Sequence, residues 1–364
     1  MYQLIDLFLD IKIGETTMEM SLRWYGEDDP VTLEKIRQIP GMVGIVSAIY
    51  DIPAGEVWPY EKIIKLKEKI ENYNLSLNVI ESVPVHEEVK MGMDTRDVWI
   101  ENYQETIRNL SKAGVKTICY NFMPVFDWTR SQLDAPLEDG SHSLLYDEEK
   151  VKSIDPLSGK LTLPGWDLSY DKENLRKIID IYQDISEEQL MENLIYFLER
   201  VIPVAEEENV LLAIHPDDPP WSIFGLPRVI KGKKSVEKLL RAVDSPSNGI
   251  TFCTGSYGAD PSNDLLEILE AAKGRIHFVH ARNIKWIGEK SFQETSHLTR
   301  DGSLDMVGVM KKLIEIGFVG PIRPDHGRMI WGEEGRPGYG LYDRALGAAY
   351  LNGIIDSVHD SQEE

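Results

Sequence analysis

The stretch ISEEQLMENLIYFLERVIPVAEEENVLLAIHP (Ile185–Pro216) passes from a long helical pattern into a short apolar run that stops at a histidine. Helix feeding strand is one unit of an alternation that runs along almost the whole chain. Upstream lie the strand candidates MSLRWY (Met20–Tyr25), MVGIVSAIY (Met42–Tyr50), LSLNVIESV (Leu75–Val83) and VKTICYNFM (Val115–Met123), with helical patterns between them. Downstream of VLLAIHP come GITFCTG (Gly249–Gly255), IHFVHARN (Ile276–Asn283) and GPIRPDHG (Gly320–Gly327), and a last helix from about Leu341. Eight strand candidates, each followed by a helix candidate, imply an α/β chain whose parallel sheet closes as a (β/α)8 TIM barrel. An open doubly wound sheet would carry a phosphate loop after its first strand, and RWYGEDDP has none. A barrel of this kind needs about 250 residues. Much of the excess lies in Pro124–Glu187, a polar, turn-rich insertion after strand four with no run able to form a second core. It is expected to be an elaborated loop covering the barrel mouth. Residues 18–364 then form one domain, and residues 1–17 a dispensable extension.

Composition narrows the partners. The chain has 364 residues, 42% of them hydrophobic, and no apolar stretch near the length of a membrane span. Its start, MYQLIDLFLDIKIGETT, is interrupted by Asp6 and Asp10 and lacks a basic leader, so a secretory signal is not expected. A formal net charge of -22 argues against nucleic acid and anionic membrane, and requires any anionic ligand to find a local positive site. The two cysteines, Cys119 and Cys253, both sit in apolar runs, which fits a reducing cytoplasm.

In such barrels chemistry collects at the carboxyl ends of the strands. Strands five to eight end in IHPDDPPW, FCTGS, VHARN and RPDHG, offering His215, Cys253, His280 and Asp325. Taken singly, each has an ordinary reading: a hydrogen-bonded histidine, an inert buried cysteine, an aspartate in a turn. Together, on four consecutive strands, they have the donor types of a metal site. His277 begins its strand and belongs to the opposite end, while His142, His297 and His359 fall in loops or the tail; all four are read as structural or solvent-exposed. Alternation along a strand puts Arg323 on the face of Asp325 and Arg282 on that of His280. His326 then points away, unless the strand has already broken, for which Gly327 is the available signal.

Several long blocks resemble the mannonate dehydratases of hexuronate degradation: RWYGEDDPVTLEKIRQIPG, ESVPVHE, CYNFMPVFDWTR, HPDDPPWSIFGLPR, NGITFCTGSYGADPSND, VHARN and RPDHGRMIWGEEGRPGYGLYDRALG. The resemblance runs from about Met18 to the last helix. It implies a xylose-isomerase-like barrel, a lyase that converts D-mannonate to 2-keto-3-deoxy-D-gluconate and water, and Mn2+ or Fe2+ as cofactor. It places metal ligands on His215, Cys253, His280 and Asp325, and acid–base roles on His326 and Tyr339. A homodimer or higher homo-oligomer is expected, since barrels of this kind commonly pair.

Dehydration at a sugar acid requires removal of a weakly acidic C2 proton beside a carboxylate and loss of the C3 hydroxyl. A divalent cation spreads the charge, a general acid protonates the leaving group, and fixed positive charge holds the carboxylate. Arg23, His86, Asn121, Arg282 and Arg328 are the candidate substrate contacts, with Arg323 beside them; each arginine has an alternative reading as a salt-bridge partner. The rival functions are a metal-dependent sugar isomerase or epimerase on the same barrel, a phosphodiesterase acting on DNA, and a non-catalytic sugar-acid or metal-binding protein. An isomerase needs no carboxylate clamp, the acidic balance disfavours DNA, and a binder needs no His326 or Tyr339 beside the metal.

Overall fold

The computed structural model describes residues 18–157 and 172–360. The extension expected at residues 1–17 therefore lies outside the described residues, as does 158–171 of the insertion. Among the described residues, eight of twelve strands close into a barrel: β1 (Met18–Arg23), β2 (Gly44–Ser47), β3 (Ser76–Glu81), β4 (Thr117–Tyr120), β7 (Leu211–Ile214), β8 (Asn248–Cys253), β9 (Ile276–His280) and β12 (Gly320–Arg323). Neighbours around the ring are β1-β12-β9-β8-β7-β4-β3-β2, every pair parallel. Each falls within a strand expected from the sequence or within two residues of it. The helices are α1 (Leu33–Ile36), α2 (Tyr60–Glu71), α3 (Glu87–Lys90), α4 (Arg96–Lys112), α5 (Glu148–Lys152), α6 (Lys172–Tyr182), α7 (Glu187–Glu207), α8 (Lys233–Ala242), α9 (Thr254–Gly258), α10 (Leu265–Ala271), α11 (Met306–Glu315) and α12 (Tyr342–Asp360). None of the described helices is long and apolar enough to cross a membrane.

The opening stretch shows why the elements form. Ser186 and Gln189 make a reciprocal capping box that starts α7. Leu190, Leu194, Phe197, Leu198 and Val201 then form a buried stripe at helical spacing. The strand that follows is buried on both faces, as a parallel strand lying between an outer helix and the barrel interior must be.

Inside the barrel, Val46, Val79, Cys119, Ala213 and Phe278 pack into an apolar floor. Strand alternation does the rest. Two residues beyond Val79, Cys119, Ala213 and Phe278 stand Glu81, Asn121, His215 and His280, facing the same interior one layer higher. Thr251 bonds Cys119 and the Ala213 carbonyl across this interior, so Cys253 joins the upper layer, and Arg323 is in register with His280.

The four remaining strands lie outside the barrel. β5 (Gln132–Pro136) and β6 (His142–Tyr146) come from the insertion, β10 (Ile284–Gly288) and β11 (Ser291–Glu294) from the segment after β9, and they pair in the order β10-β11-β6-β5. The segment 124–187, expected as an elaborated loop, thus carries two strands and the helices α5 and α6. His142 lies on β6, not in a loop. The β10–β11 hairpin was not expected; its strands are short, one face is largely exposed, and its partner β6 is remote in sequence.

Phe278 is fully buried in the floor and meets the His280 ring edge-on at 4.6 Å. Phe278→Ala is expected to lower the unfolding free energy by about 3–5 kcal/mol in urea titrations. A loss below about 1 kcal/mol would mean that the floor does not support the layer above it.

Candidate active site

The upper layer brings three donors together. One ligand atom each from His215, Cys253 and His280 lies within 4.8 Å of the others, the one such metal-capable group among the described residues. His215 Nδ1 stands 2.7 Å from the Pro216 carbonyl, which only accepts, so Nδ1 carries a proton and Nε2 faces the cluster. His215 Nε2 is 3.1 Å from His280 Nδ1, while His280 Nε2 points at Glu81, 3.4 Å away. Asp325 stands against two of the three: its Oδ2 is 3.8 Å from Cys253 Sγ and its Oδ1 3.7 Å from His280 Nδ1. Asp325 Oδ1 is buried without an aligned hydrogen bond, although Arg323 Nη2 lies 2.8 Å away. Two imidazoles, a thiol and a carboxylate oxygen with spare capacity fit a divalent cation.

The local charge favours the metal-binding forms. Burial pushes the Cys253 thiol up, but the Arg282 charge and hydrogen bonds from His215 and His280 outweigh it and hold the thiol well below its ordinary range. Burial pulls His215 down, yet the hydrogen bond and charge of Cys253 raise it to about 9. In the absence of metal, the pair is therefore a thiolate beside an imidazolium. Burial likewise pushes Asp325 up, and the charges of His326, Arg323, His280 and Arg282 reverse it, leaving an ionised carboxylate.

The chain breaks immediately after β12. Pro324 offers no N–H to a ladder, and Asp325 takes a left-handed conformation at φ 59°. His297 is buried, not exposed, and braces the break through a 2.6 Å contact with the Pro324 carbonyl. The break lets Asp325 and His326 both line the cavity, so strand alternation does not carry His326 away. It comes at Pro324–Asp325 and not at Gly327, where a Cβ would fall 3.1 Å from the Arg344 backbone nitrogen and 3.2 Å from Asp343 Cβ. His326 Nε2 lies 2.8 Å from the Tyr339 hydroxyl, and Nδ1 lies 2.9 and 3.1 Å from the two oxygens of Glu294. Burial and the neighbouring Tyr25 raise the Tyr339 phenol well above its ordinary range, overriding Arg323, so it keeps its proton. Trp128 of the insertion packs against His326 with ring centroids 4.7 Å apart.

Of the expected substrate contacts, Arg23 and Asn121 line this cavity, as does Arg323. Three expectations are corrected. Arg282 is buried behind the cavity, with Nη2 2.6 Å from Asp218, Nε 2.7 Å from Asp325 and Nη1 against Glu294; its charge is spent on protein carboxylates. Gly255 is small because a Cβ there would fall 2.5 Å from Arg282 Nε. Arg328 is held outside the cavity by Asp139 and Asp343, each at 2.8 Å. His86 caps α3 and stacks on Trp99 at 3.9 Å, lining an outer groove that touches the cavity only through Arg23 and Ser82. Glu81, Asp218, Arg130 and Glu294 were missed. Strand alternation beyond Val79 was a sufficient signal for Glu81; nothing local marked Glu294, which arrives on the unexpected hairpin.

The sequence profile of the D-mannonate dehydratase family (UxuA) matches residues 18–364. Mannonate dehydratase 2 of Halalkalibacterium halodurans is 59% identical over 94% of this chain and 99% of its own length. The crystal structure of mannonate dehydratase from Streptococcus suis serotype 2 superposes with a TM-score of 0.89 at 50% identity, covering 95% of this chain and 96% of that one. D-psicose 3-epimerase from Clostridium cellulolyticum H10 shares the barrel at a TM-score of 0.55 but only 13% identity, over 93% of this chain and 97% of that one. The likeness to epimerases is one of fold alone.

A cation entering the cluster below pH about 9 displaces the proton on His215. Because the folded group is raised, metal affinity should climb with pH and level off near that value. Calorimetric Mn2+ titrations between pH 6 and 8 are expected to show affinity rising roughly tenfold per unit, as for one released proton. A flat profile would remove His215 from the ligand set.

Proposed function

The chain belongs to the D-mannonate dehydratase family, and on that premise we propose how its own residues take water from D-mannonate. One observation carries the reading: His215 of the His–Cys–His donor cluster, Asp325 beside that cluster, and the His326–Tyr339 pair all line one cavity. His215, Cys253, His280 and Asp325 would hold a divalent cation, which we assign as Mn2+ or else Fe2+ and which would supply Lewis-acid polarisation of the substrate.

Arg23 and Arg323 hold the substrate carboxylate. Both line the cavity, and Arg23 Nε and Arg323 Nε and Nη1 are buried donors without hydrogen-bond partners. An anionic oxygen satisfies such donors, and charge-assisted bonds of this type are the strong ones. The substrate is thereby fixed with its C2–C3 bond toward His326 and Tyr339.

His326 Nε2 takes the proton from C2. The C–H electron pair becomes the C2–C3 double bond and expels the C3 hydroxyl, which leaves as water on a proton from Tyr339. A phenol held well above its ordinary range gives up that proton only to a strong base, and a departing hydroxide is one. The proton on His326 returns to Tyr339 across their 2.8 Å contact. The enol left behind gives up its C2 hydroxyl proton, gains one at C3, and becomes 2-keto-3-deoxy-D-gluconate. Asp325, ionised and given over to the cation, transfers no proton.

Two substitutions separate these roles. Asp325→Asn should lose metal and 2-keto acid formation together. His326→Asn should keep metal and KM but lose about 10² or more in kcat. Near-normal turnover of His326→Asn at saturating metal would move the proton work elsewhere.

We also propose that residues 18–364, the range matched by the family profile, suffice for fold and turnover. Deleting residues 1–17 should leave kcat/KM unchanged and Tm within a few degrees. A fall of about ten degrees, worth a few kcal/mol in a chain of this size, would show that the segment packs on the barrel.

A further inference from the structure

The four-stranded sheet outside the barrel ends in a side chain that no strand-end argument supplies. Glu294 closes β11, is 1% exposed, and is held in register with Ile284 across the hairpin. The hairpin is fixed to the insertion by pairing of Phe292 with Tyr146, whose rings stack at 5.5 Å. Two guanidiniums flank the Glu294 carboxylate. Oε1 accepts from Arg130 Nη2 at 2.8 Å and Nε at 3.2 Å, and from Arg282 Nη1. Between such neighbours the carboxylate is ionised and can only accept.

That constraint propagates to the proton pair. An accept-only carboxylate 2.9 Å from His326 Nδ1 requires Nδ1 to donate. Nε2 is then the lone-pair nitrogen, aimed at the Tyr339 hydroxyl. The alternative is close at hand: Arg282 Nη1 lies 3.5 Å from the same Nδ1. With the carboxylate withdrawn, that guanidinium faces Nδ1 and favours the tautomer with its proton on Nε2. Nε2–H would then donate to the Tyr339 oxygen, and Nε2 could not accept from C2.

We propose that Glu294 is a positioning residue for the dehydration, fixing the His326 tautomer and ring orientation so that Nε2 stays the proton acceptor. The inference rests on the proton role given to His326 above. It also gives the outer sheet a purpose, since β10, β11 and β6 together deliver one carboxylate to the back of one imidazole.

The test is a double-mutant cycle with manganese-loaded protein and D-mannonate. Glu294→Gln presents an amide that can still face Arg130 and Arg282 with its oxygen but offers N–H to Nδ1. It should lower kcat by about 10²-fold while metal content and KM stay within about threefold. In a His326→Asn background the same change should cost less than about threefold, because its partner is gone. Glu294→Asp keeps the charge for both arginines and withdraws it from Nδ1; it should lose at least about tenfold in kcat, and decides the matter if Glu294→Gln does not fold. Wild-type kcat in either folded variant, or an equal penalty in the His326→Asn background, overturns the proposal. Normal turnover of His326→Asn alone overturns the underlying reading and this proposal with it. Loss in His326→Asn with none in Glu294→Gln overturns only this one.

Discussion

Everything at the mouth of this barrel depends on the rule that a buried charge must be paired. Arg23, Arg323, Arg282 and Arg130 are all buried, in a chain whose formal net charge is -22. They alternate with Glu81, Asp325, Asp218 and Glu294. Arg323 bridges Glu81 and Asp325 at 3.0 and 2.8 Å, Arg282 reaches Asp325, Asp218 and Glu294, and Arg130 ties Asp218 to Glu294. The array stays neutral enough to bury and rigid enough to aim the donors it encloses.

The array is not spent evenly. Arg282 and Arg130 have their charge consumed by carboxylates, so they act on the site only through what they hold. Arg23 and Arg323 share Glu81 and keep unsatisfied N–H groups beside the cavity. The difference between an arginine that orders the protein and one that meets a substrate is here a matter of spare donors at the cavity wall. Arg282 Nε also lacks an aligned hydrogen bond, but it stands behind the lining, 2.7 Å from Asp325. The same reasoning separates the carboxylates: Asp325 keeps a free oxygen for a cation, whereas Glu294 turns toward His326.

Much of this was legible in the sequence because it depends on period and order. The eight barrel strands, and the donors His215, Cys253, His280 and Asp325 at their ends, follow from alternation within strands and between strands and helices. Arg282 was placed on the correct strand end, but alternation says which face a side chain takes and not which partner claims it. Arg328 and His86 lie close in sequence to the strand ends, yet local ion pairs and helix capping hold them outside the cavity. Asp325 and His326 share the cavity only because a proline and a left-handed residue end the ladder between Arg323 and His326. Glu294 depends on pairing between segments nearly 150 residues apart (Phe292 with Tyr146 is the anchor), and no local pattern encodes such a contact.

Dehydration is assigned to the point where a strand-end metal cluster faces a phenol–imidazole proton pair. The most direct measurement is 2-keto acid formation from D-mannonate as Mn2+ is titrated back into chelator-stripped protein. Stripped protein should show no turnover, and activity should return linearly and saturate at one ion per chain. Undiminished turnover without metal, or metal binding at that stoichiometry with no 2-keto acid formed, would contradict that assignment.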